Sequence, residues 1–496
     1  MFTVFNYSLL CLYFLILTVI GAKFYRKSSN STEFFVGGRA MTWLPVAISV
    51  VASDTSAITL LGNPGYTYAN DLRLIFYILS YSVASWLVII LFLPFYCRLN
   101  LYTAYEYLEK RFDVRVRCLT SALFLFIRGA HVSIAMYAPA IVLSLVSGMP
   151  LYASILLMGV TTTIYTTLGG IRAVIWTDVI QFCIVLTGVV LTFFLTIRRV
   201  DGGLAAILQI GTDYEKWRIW DFSLDLTSTS SFWAMFVGGC ILALATIGTD
   251  QAVLQRYFTA KSERECARSL KAFSVILIPY NSILLLIGVF LFAFYHQNPA
   301  LAKGIPSADA VLGYFAVNEL PQFVATLLIA SVFAASMGVM SAGINSLSTC
   351  TVIDFYQRML NQDSSEAHYV KIGRIFTMMW GALATVGALY AGHLGSLALA
   401  FGKIQGFVGG VMLGVFLLGM LFRRPTARGA LIGSMVGLTV VSYLAFYTPI
   451  SFFWYGAVGC FITMAVGYAT SIIGQKPAHL PDDLFLRRLS DKKIRC

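Results

Sequence analysis

Runs of about 20 mostly apolar residues follow one another along nearly the whole of this 496-residue chain, with only short polar breaks between them. A helix of that length spans the hydrocarbon of a bilayer, where the backbone must satisfy its own hydrogen bonds. The runs fall at roughly 5–22, 42–66, 74–97, 117–147, 151–169, 174–197, 230–254, 272–295, 320–353, 372–392, 396–421, 429–447 and 451–473. With 58% hydrophobic and 12% charged residues and a mean hydropathy of +0.79, the chain carries more apolar surface than a water-soluble core of this size buries. It is therefore expected to be all-α and polytopic, about thirteen transmembrane helices in a single membrane domain over 1–496, with the bilayer as solvent. Lys23, Arg26 and Lys27 follow the first run instead of preceding it, which argues against a cleaved signal peptide.

A net charge of +12 raises the question of a nucleic-acid partner. With the N-terminus outside, the inside loops and tail hold 27 of the 35 Lys and Arg, the outside loops 6, and the spans 2, Arg128 and Lys403. That asymmetry is the positive-inside bias. It predicts an integral plasma-membrane protein, in a bacterium the inner membrane, with residues 474–496 as a cytoplasmic tail. It calls for no nucleic-acid partner, and no obligate protein partner is evident. Nine cysteines form no CxxC pair or metal-ligand spacing, and most sit in apolar runs as small hydrophobes.

Two runs are interrupted in matching places. Ser53, Asp54, Thr55 and Ser56 break the second, and Gly238, Gly239, Thr246, Gly248, Thr249 and Asp250 break the seventh. Inverted repeats of five helices, each opening with a discontinuous helix, give this pattern and bind solute and ion at the breaks. Glycine and serine in membrane helices also serve close helix packing. The polar loop at about 198–229 has room for a short helix.

The stretches that break apolarity also carry a resemblance. They are FFVGGRAMTWLPVAISVVASDTSAITLLGNPGY (34–66), YTAYEYLEKRFDVRVR (102–117), YAPAIVLSLVSG (137–148), YTTLGGIRAVIWTDVIQ (165–181), TDQAVLQRYFTAKS (249–262) and FVGGVMLGVFLLGMLFRR (407–424). Together these resemble the sodium/solute symporter family over nearly the whole chain, on the branch of monocarboxylate, multivitamin and iodide transporters, with bacterial sialic acid symporters nearby. The resemblance implies a LeuT-type fold: an extra helix at 5–22, inverted repeats at 42–197 and 230–421, and two further helices over 429–473. It also implies symport of a small organic solute with Na+ as the coupling ion. Sialic acid or another carboxylated sugar comes first as solute; a monocarboxylate, a neutral sugar or a proton-coupled carrier are the alternatives.

By the same resemblance the main sodium site matches the carbonyls of Ala52, Thr55 and Ala335, and its two hydroxyl positions match Gly338 and Val339, where this chain has no hydroxyl. Ser336 or Ser341 then takes over, or the site is weak, or the driving ion differs. A second sodium position matches Asp178, Ser341 and Ala342. Solute-binding positions match Asp54, Ser56, Thr59, Leu74 and Ile78, of which Ser56 and Thr59 keep the expected chemistry. The arginine that holds the solute carboxylate in sialic acid symporters matches His131, with Arg128 one helical turn away on the same face.

Several residues also have structural readings. Asp178 is an intramembrane acid, functional by default, yet able to serve neighbouring helices as a hydrogen-bond acceptor. Asp54 has three readings: cap of the broken helix, ligand to ion or solute, or proton-titrating acid. Arg128 either anchors a carboxylate or snorkels to an interface, and Lys403 either pairs with Asp54 or solute or reaches water. No Ser-His-Asp order, HExxH, phosphate loop or metal cluster suggests an enzyme. A sensor would need a signalling domain, and a channel would not carry the six stretches.

Overall fold

The computed structural model describes residues 4–25, 30–394, 397–473, 481 and 484–485. They are helical almost throughout; the one β-type pairing among the described residues is an isolated bridge between Met41 and Ala260. Helix α1 (Val4–Tyr25) precedes a bent pair, α2 (Trp43–Asp54) and α3 (Ala57–Ala69). Then come α4 (Ile75–Leu91), the short α5 (Tyr105–Arg111), α6 (Val114–Ser147) and the long α7 (Leu151–Arg199). A second bent pair, α8 (Gly239–Thr249) and α9 (Gln251–Phe258), leads into α10 (Glu263–Gln297), α11 (Gln322–Cys350), α12 (Glu366–Tyr390), α13 (Leu397–Leu421), α14 (Ala427–Tyr447) and α15 (Phe453–Ile473). Nine described helices are long and apolar enough to cross a membrane, and up to eleven spans result if each bent pair counts as one. The polar connection after α7 holds a helix at Gly203–Asp213.

Both interruptions expected from the sequence are present. The α2–α3 pair bends by 63° and the α8–α9 pair, with the helical turns from Trp233, by 51°. At the first break Thr55 (φ −87°, ψ 107°) and Ser56 (φ −106°, ψ 173°) are extended, and the Ser56 hydroxyl accepts from the Thr59 amide at 3.4 Å. At the second, Asp250 (φ −78°, ψ 119°) is extended and its carboxylate accepts from the Ala252 amide at 2.8 Å. An acceptor there meets one of the amides that a helix start leaves without a partner.

Helix α11 is the centre of the bundle, packed against α6, α7, α2 and α12. Of the most apolar 18-residue stretch of Gln322–Leu360, 83% is buried inside the protein, against 33% for α14 and for α15, whose flanks face lipid. Three arginines that sequence places in loops are buried instead. Arg111 donates to the carbonyls of Gly419, Phe422 and Pro425, and Arg117 pairs with Asp354 and Glu109, each at 2.7 Å. Arg256 lies wholly inside the bundle. Their charges are spent on protein contacts and not on the membrane surface. Most of the expected tail 474–496 lies outside the described residues. Its Leu484 carbonyl accepts from the Tyr107 hydroxyl at 3.1 Å, and Arg111 and Arg423 lie 4.9 and 5.1 Å from the Phe485 ring.

Helix α7 contains two of the apolar runs, and the junction between them is Gly170, at φ 58° and ψ −160°. A side chain is disfavoured there twice over: the backbone lies in a region open essentially to glycine, and a Cβ would stand 2.8 Å from the Phe34 carbonyl oxygen. Gly170→Ala should lower stability by about 1–3 kcal/mol. Gly313→Ala, at a helical glycine with nothing within 4 Å of the new methyl, should leave it unchanged or slightly raised. Thermal midpoints of the purified variants check this, and equal midpoints for the two would contradict it.

Candidate functional site

The helices on either side of the two breaks, α2 and α9, pack on each other and on α11, and buried polar residues lie around them. Ala52, Thr55 and Ser56 at the first break are buried, and Asp54 and Thr59 are half-buried. Asp54 does not cap α3, since Ser56 does so, and among the described residues no donor reaches its carboxylate. Its charge interacts with those of Arg128 and Asp250. Arg128 lies across the middle of α6, 3% exposed, and does not snorkel outward. One of its terminal nitrogens contacts His131 Nδ1 at 3.0 Å and the other donates to Asp250 Oδ2 at 2.5 Å, while its Nε is buried without a partner. The stem of Arg128 runs over Gly343 of α11, where a Cβ would lie 3.4 Å from Arg128 Cδ. Arg128 thus ties α6 to the second break through Asp250.

A second ionic group lies beside it. Asp178 of α7 and Arg256 of α9 pair at 2.8 Å, both with fully buried side chains. Ser49 of α2 donates to the same carboxylate oxygen, Asp178 Oδ2, at 2.5 Å and is itself contacted by Arg256 Nε at 2.7 Å. Arg256 Nε also reaches the Ser49 carbonyl at 3.2 Å, and Arg256 Nη1 the Ala252 carbonyl. Three helices, α2, α7 and α9, meet in this cluster, which ties the first break to the second.

The remaining positions divide in two groups. Ala335, Gly338, Val339, Ser341, Ser336 and Ala342 are all buried on α11. Gly338 faces Ala52: a Cβ on it would lie 3.1 Å from the Ala52 carbonyl oxygen and 3.6 Å from Asp178 Oδ1. Ser341 Oγ donates to the Gly338 carbonyl at 3.1 Å, and Ser336 Oγ accepts from the Ala57 amide at 3.3 Å, so both hydroxyls are engaged with backbone. Val339 presents an apolar side chain. Ile78 is buried and Leu74 half-buried among the aromatic residues of the α4 start, while Lys403 is exposed and forms no ion pair among the described residues.

The sequence alone does not single out Asp250, Arg256 and Ser49 as members of these buried clusters. Arg256 was assigned to a loop because the apolar run ends at 254. A buried carboxylate at 178 nevertheless requires a cation somewhere in the bundle, and that requirement was the available signal. Removing one partner of such a pair costs about 3–5 kcal/mol, whereas replacing both by apolar residues is often neutral. Asp178→Leu and Arg256→Met should each lower the thermal midpoint sharply, and the double variant should recover most of the loss. A double variant as unstable as the sum of the singles would contradict the pairing.

Residues 34–437 match the sodium:solute symporter family. A sodium/sialic acid symporter of Aliivibrio fischeri is 32% identical over 94% of this chain and 92% of its own length. Sodium-coupled monocarboxylate transporter 1 of Xenopus laevis is 32% identical over 88% of this chain and 71% of its own. Among solved structures, a Na+-coupled sialic acid symporter in a substrate-bound outward-open state superposes with a TM-score of 0.89 at 29% identity, covering 95% of this chain and 98% of that one. Mhp1, a nucleobase-cation-symport-1 family transporter, superposes at 0.59 with 15% identity and shares the fold alone. The fold is LeuT-type, and the chain belongs to the sodium:solute symporter family.

Proposed function

We propose that this chain is a secondary transporter, not an enzyme, that carries a small organic anion inward with sodium, a carboxylated sugar such as sialic acid first and a monocarboxylate second. The observation that carries the reading is Arg128, a guanidinium buried in the bundle interior and bonded to Asp250 at the second helix break. Arginine recognises carboxylates through a planar fork, and Arg128 keeps Nε without a protein partner. His131 lies against it at 3.0 Å, a group suited to hydroxyls and amides. The Asp250 carboxylate already offsets the charge of Arg128 at this centre. A solute anion entering it is opposed by that carboxylate until a cation binds close by, and this opposition links solute affinity to ion occupancy. The sialic acid and monocarboxylate relatives support the choice of solute class.

The inverted repeats take in 42–197 and 230–421, with Val4–Tyr25 outside them and α14 and α15 after them. Thirteen spans result when α1 counts as a span and α7 as two divided at Gly170. The chain lies in a bacterial inner membrane with the N-terminus outside and the C-terminus in the cytoplasm, as the basic loops indicate. The contacts of Leu484 and Phe485 with Tyr107, Arg111 and Arg423 support a single side for the tail and these loops. Sodium, solute and lipid are the partners, with no obligate protein among them.

Proteoliposomes offered labelled sialic acid, short monocarboxylates and neutral hexoses, under separately imposed sodium and proton gradients, test the reading. Sialic acid or another acid should accumulate under the sodium gradient, and neutral hexose should not compete. The Arg128→Gln/Asp250→Asn double variant removes both charges while keeping a polar pair, and should fold yet lose acid uptake at least tenfold. Accumulation under the proton gradient alone, equal competition by hexose, or unchanged acid affinity in the double variant would contradict the corresponding part.

A further inference from the structure

We propose that Gln181 is an ion ligand, and that the cation site of this chain lies in front of Gly338, formed by Gln181 Oε1, Asp178 Oδ1 and the Ala52 carbonyl. The proposal rests on the sodium-coupled reading above and departs from the transferred pattern, in which positions 338 and 339 supply hydroxyls and 181 supplies nothing. A Cβ on Gly338 would stand 3.1 Å from Ala52 O, 3.3 Å from Gln181 Oε1 and 3.6 Å from Asp178 Oδ1. Three oxygens from α2 and α7 therefore converge on one point beside α11 that glycine leaves clear of side chain.

Each of these oxygens lacks a donor. Asp178 Oδ1 and Gln181 Oε1 have no hydrogen-bond partner among the described residues, with Asp178 0% and Gln181 1% exposed. The Gln181 amide is oriented by its other end, where Nε2 donates to the Tyr13 hydroxyl at 3.3 Å. The Ala52 carbonyl, in the last turn of α2, receives no bond from the Ser56 amide because the chain turns extended at Thr55. Buried acceptors without donors are costly, and a side-chain carboxylate, an amide oxygen and a carbonyl together form an environment for a small hard cation. Ser341, the hydroxyl retained from the transferred pattern, donates to the Gly338 carbonyl. Gln181 lies three residues from Asp178 on the same helix face and offers an oxygen that substitutes for the lost hydroxyls.

The other oxygen of Asp178 holds Arg256 of α9. Cation and guanidinium then share one carboxylate, which makes the site weaker than one with an undivided charge. It also lets occupancy near the first break act on the helix that begins at the second.

The test is the thermal midpoint of the purified protein in detergent, titrated with NaCl against choline chloride at constant ionic strength, and repeated with KCl. The wild type should be stabilised by Na+ and not by choline or K+. Gln181→Leu, which keeps the size and removes the oxygen, and Gly338→Ala, which puts a methyl at the point of convergence, should each raise the half-saturating Na+ concentration at least tenfold. Gln181→Asn, with a shortened reach, carries the same expectation should Gln181→Leu fail to reach the membrane. Wild-type Na+ dependence in Gln181→Leu or Gln181→Asn would overturn Gln181 as a ligand while leaving sodium coupling intact. Unchanged Na+ dependence in Gly338→Ala would overturn the location. A wild type indifferent to Na+ here and in proteoliposome uptake would overturn the sodium reading itself.

Discussion

Lipid offers no hydrogen bonds, so a helix broken within a membrane must have every freed amide and carbonyl met by protein or by cargo. The rest of this structure follows from how its two breaks meet that condition. At the second break the protein does so: the Gly248 carbonyl accepts from the Tyr96 hydroxyl at 2.6 Å, and the Thr249 carbonyl from the Tyr105 hydroxyl at 3.2 Å. Asp250 caps α9, and Gln251 bonds the backbone of Tyr102 and Ala104. At the first break the helix start is met, by Ser56 and by Ser336 of α11, and the Ala52 carbonyl is left facing Gly338. The two breaks thus differ in how far the protein itself meets their backbone groups.

The breaks are coupled by charge. Arg256, on the helix that begins at the second break, grips Ser49 of α2 and Asp178 of α7. Arg128, on a helix between them, bonds Asp250 and interacts electrostatically with Asp54. Both links cross the boundary between the proposed repeats, so movement of one broken helix loads the other. Buried ion pairs are costly to sever singly, so these two ties hold the broken helices together in the state seen here.

Much of the architecture is legible in the sequence because lipid makes composition decisive. The apolar runs all coincide with helices, and the interruptions at Ser53–Ser56 and around Asp250 coincide with both bends. What was not legible depends on pairing in three dimensions. Arg256 sits two residues past the end of an apolar run and reads as a loop cation until Asp178 is seen opposite it. A helix cap is one of three readings that the sequence leaves open for Asp54, but Ser56 holds that place, two residues on, where the new helix begins. Gln181 carries no charge and breaks no pattern, and its significance lies only in an oxygen turned toward a glycine on another helix. Gly338 reads as the loss of a hydroxyl, whereas in the structure the missing side chain is what opens the space between Ala52, Asp178 and Gln181.

The central claim is that the first break receives ion and solute while the second is closed by protein. High-resolution structures of the wild type in sodium with bound solute, and in choline without it, test this most directly. The account predicts ion density between the Ala52 carbonyl, Asp178 and Gln181, a solute carboxylate at Arg128, and Tyr96 and Tyr105 still bonded to Gly248 and Thr249. An ion coordinated instead by the Gly248 or Thr249 carbonyls, with those tyrosines displaced, would contradict it.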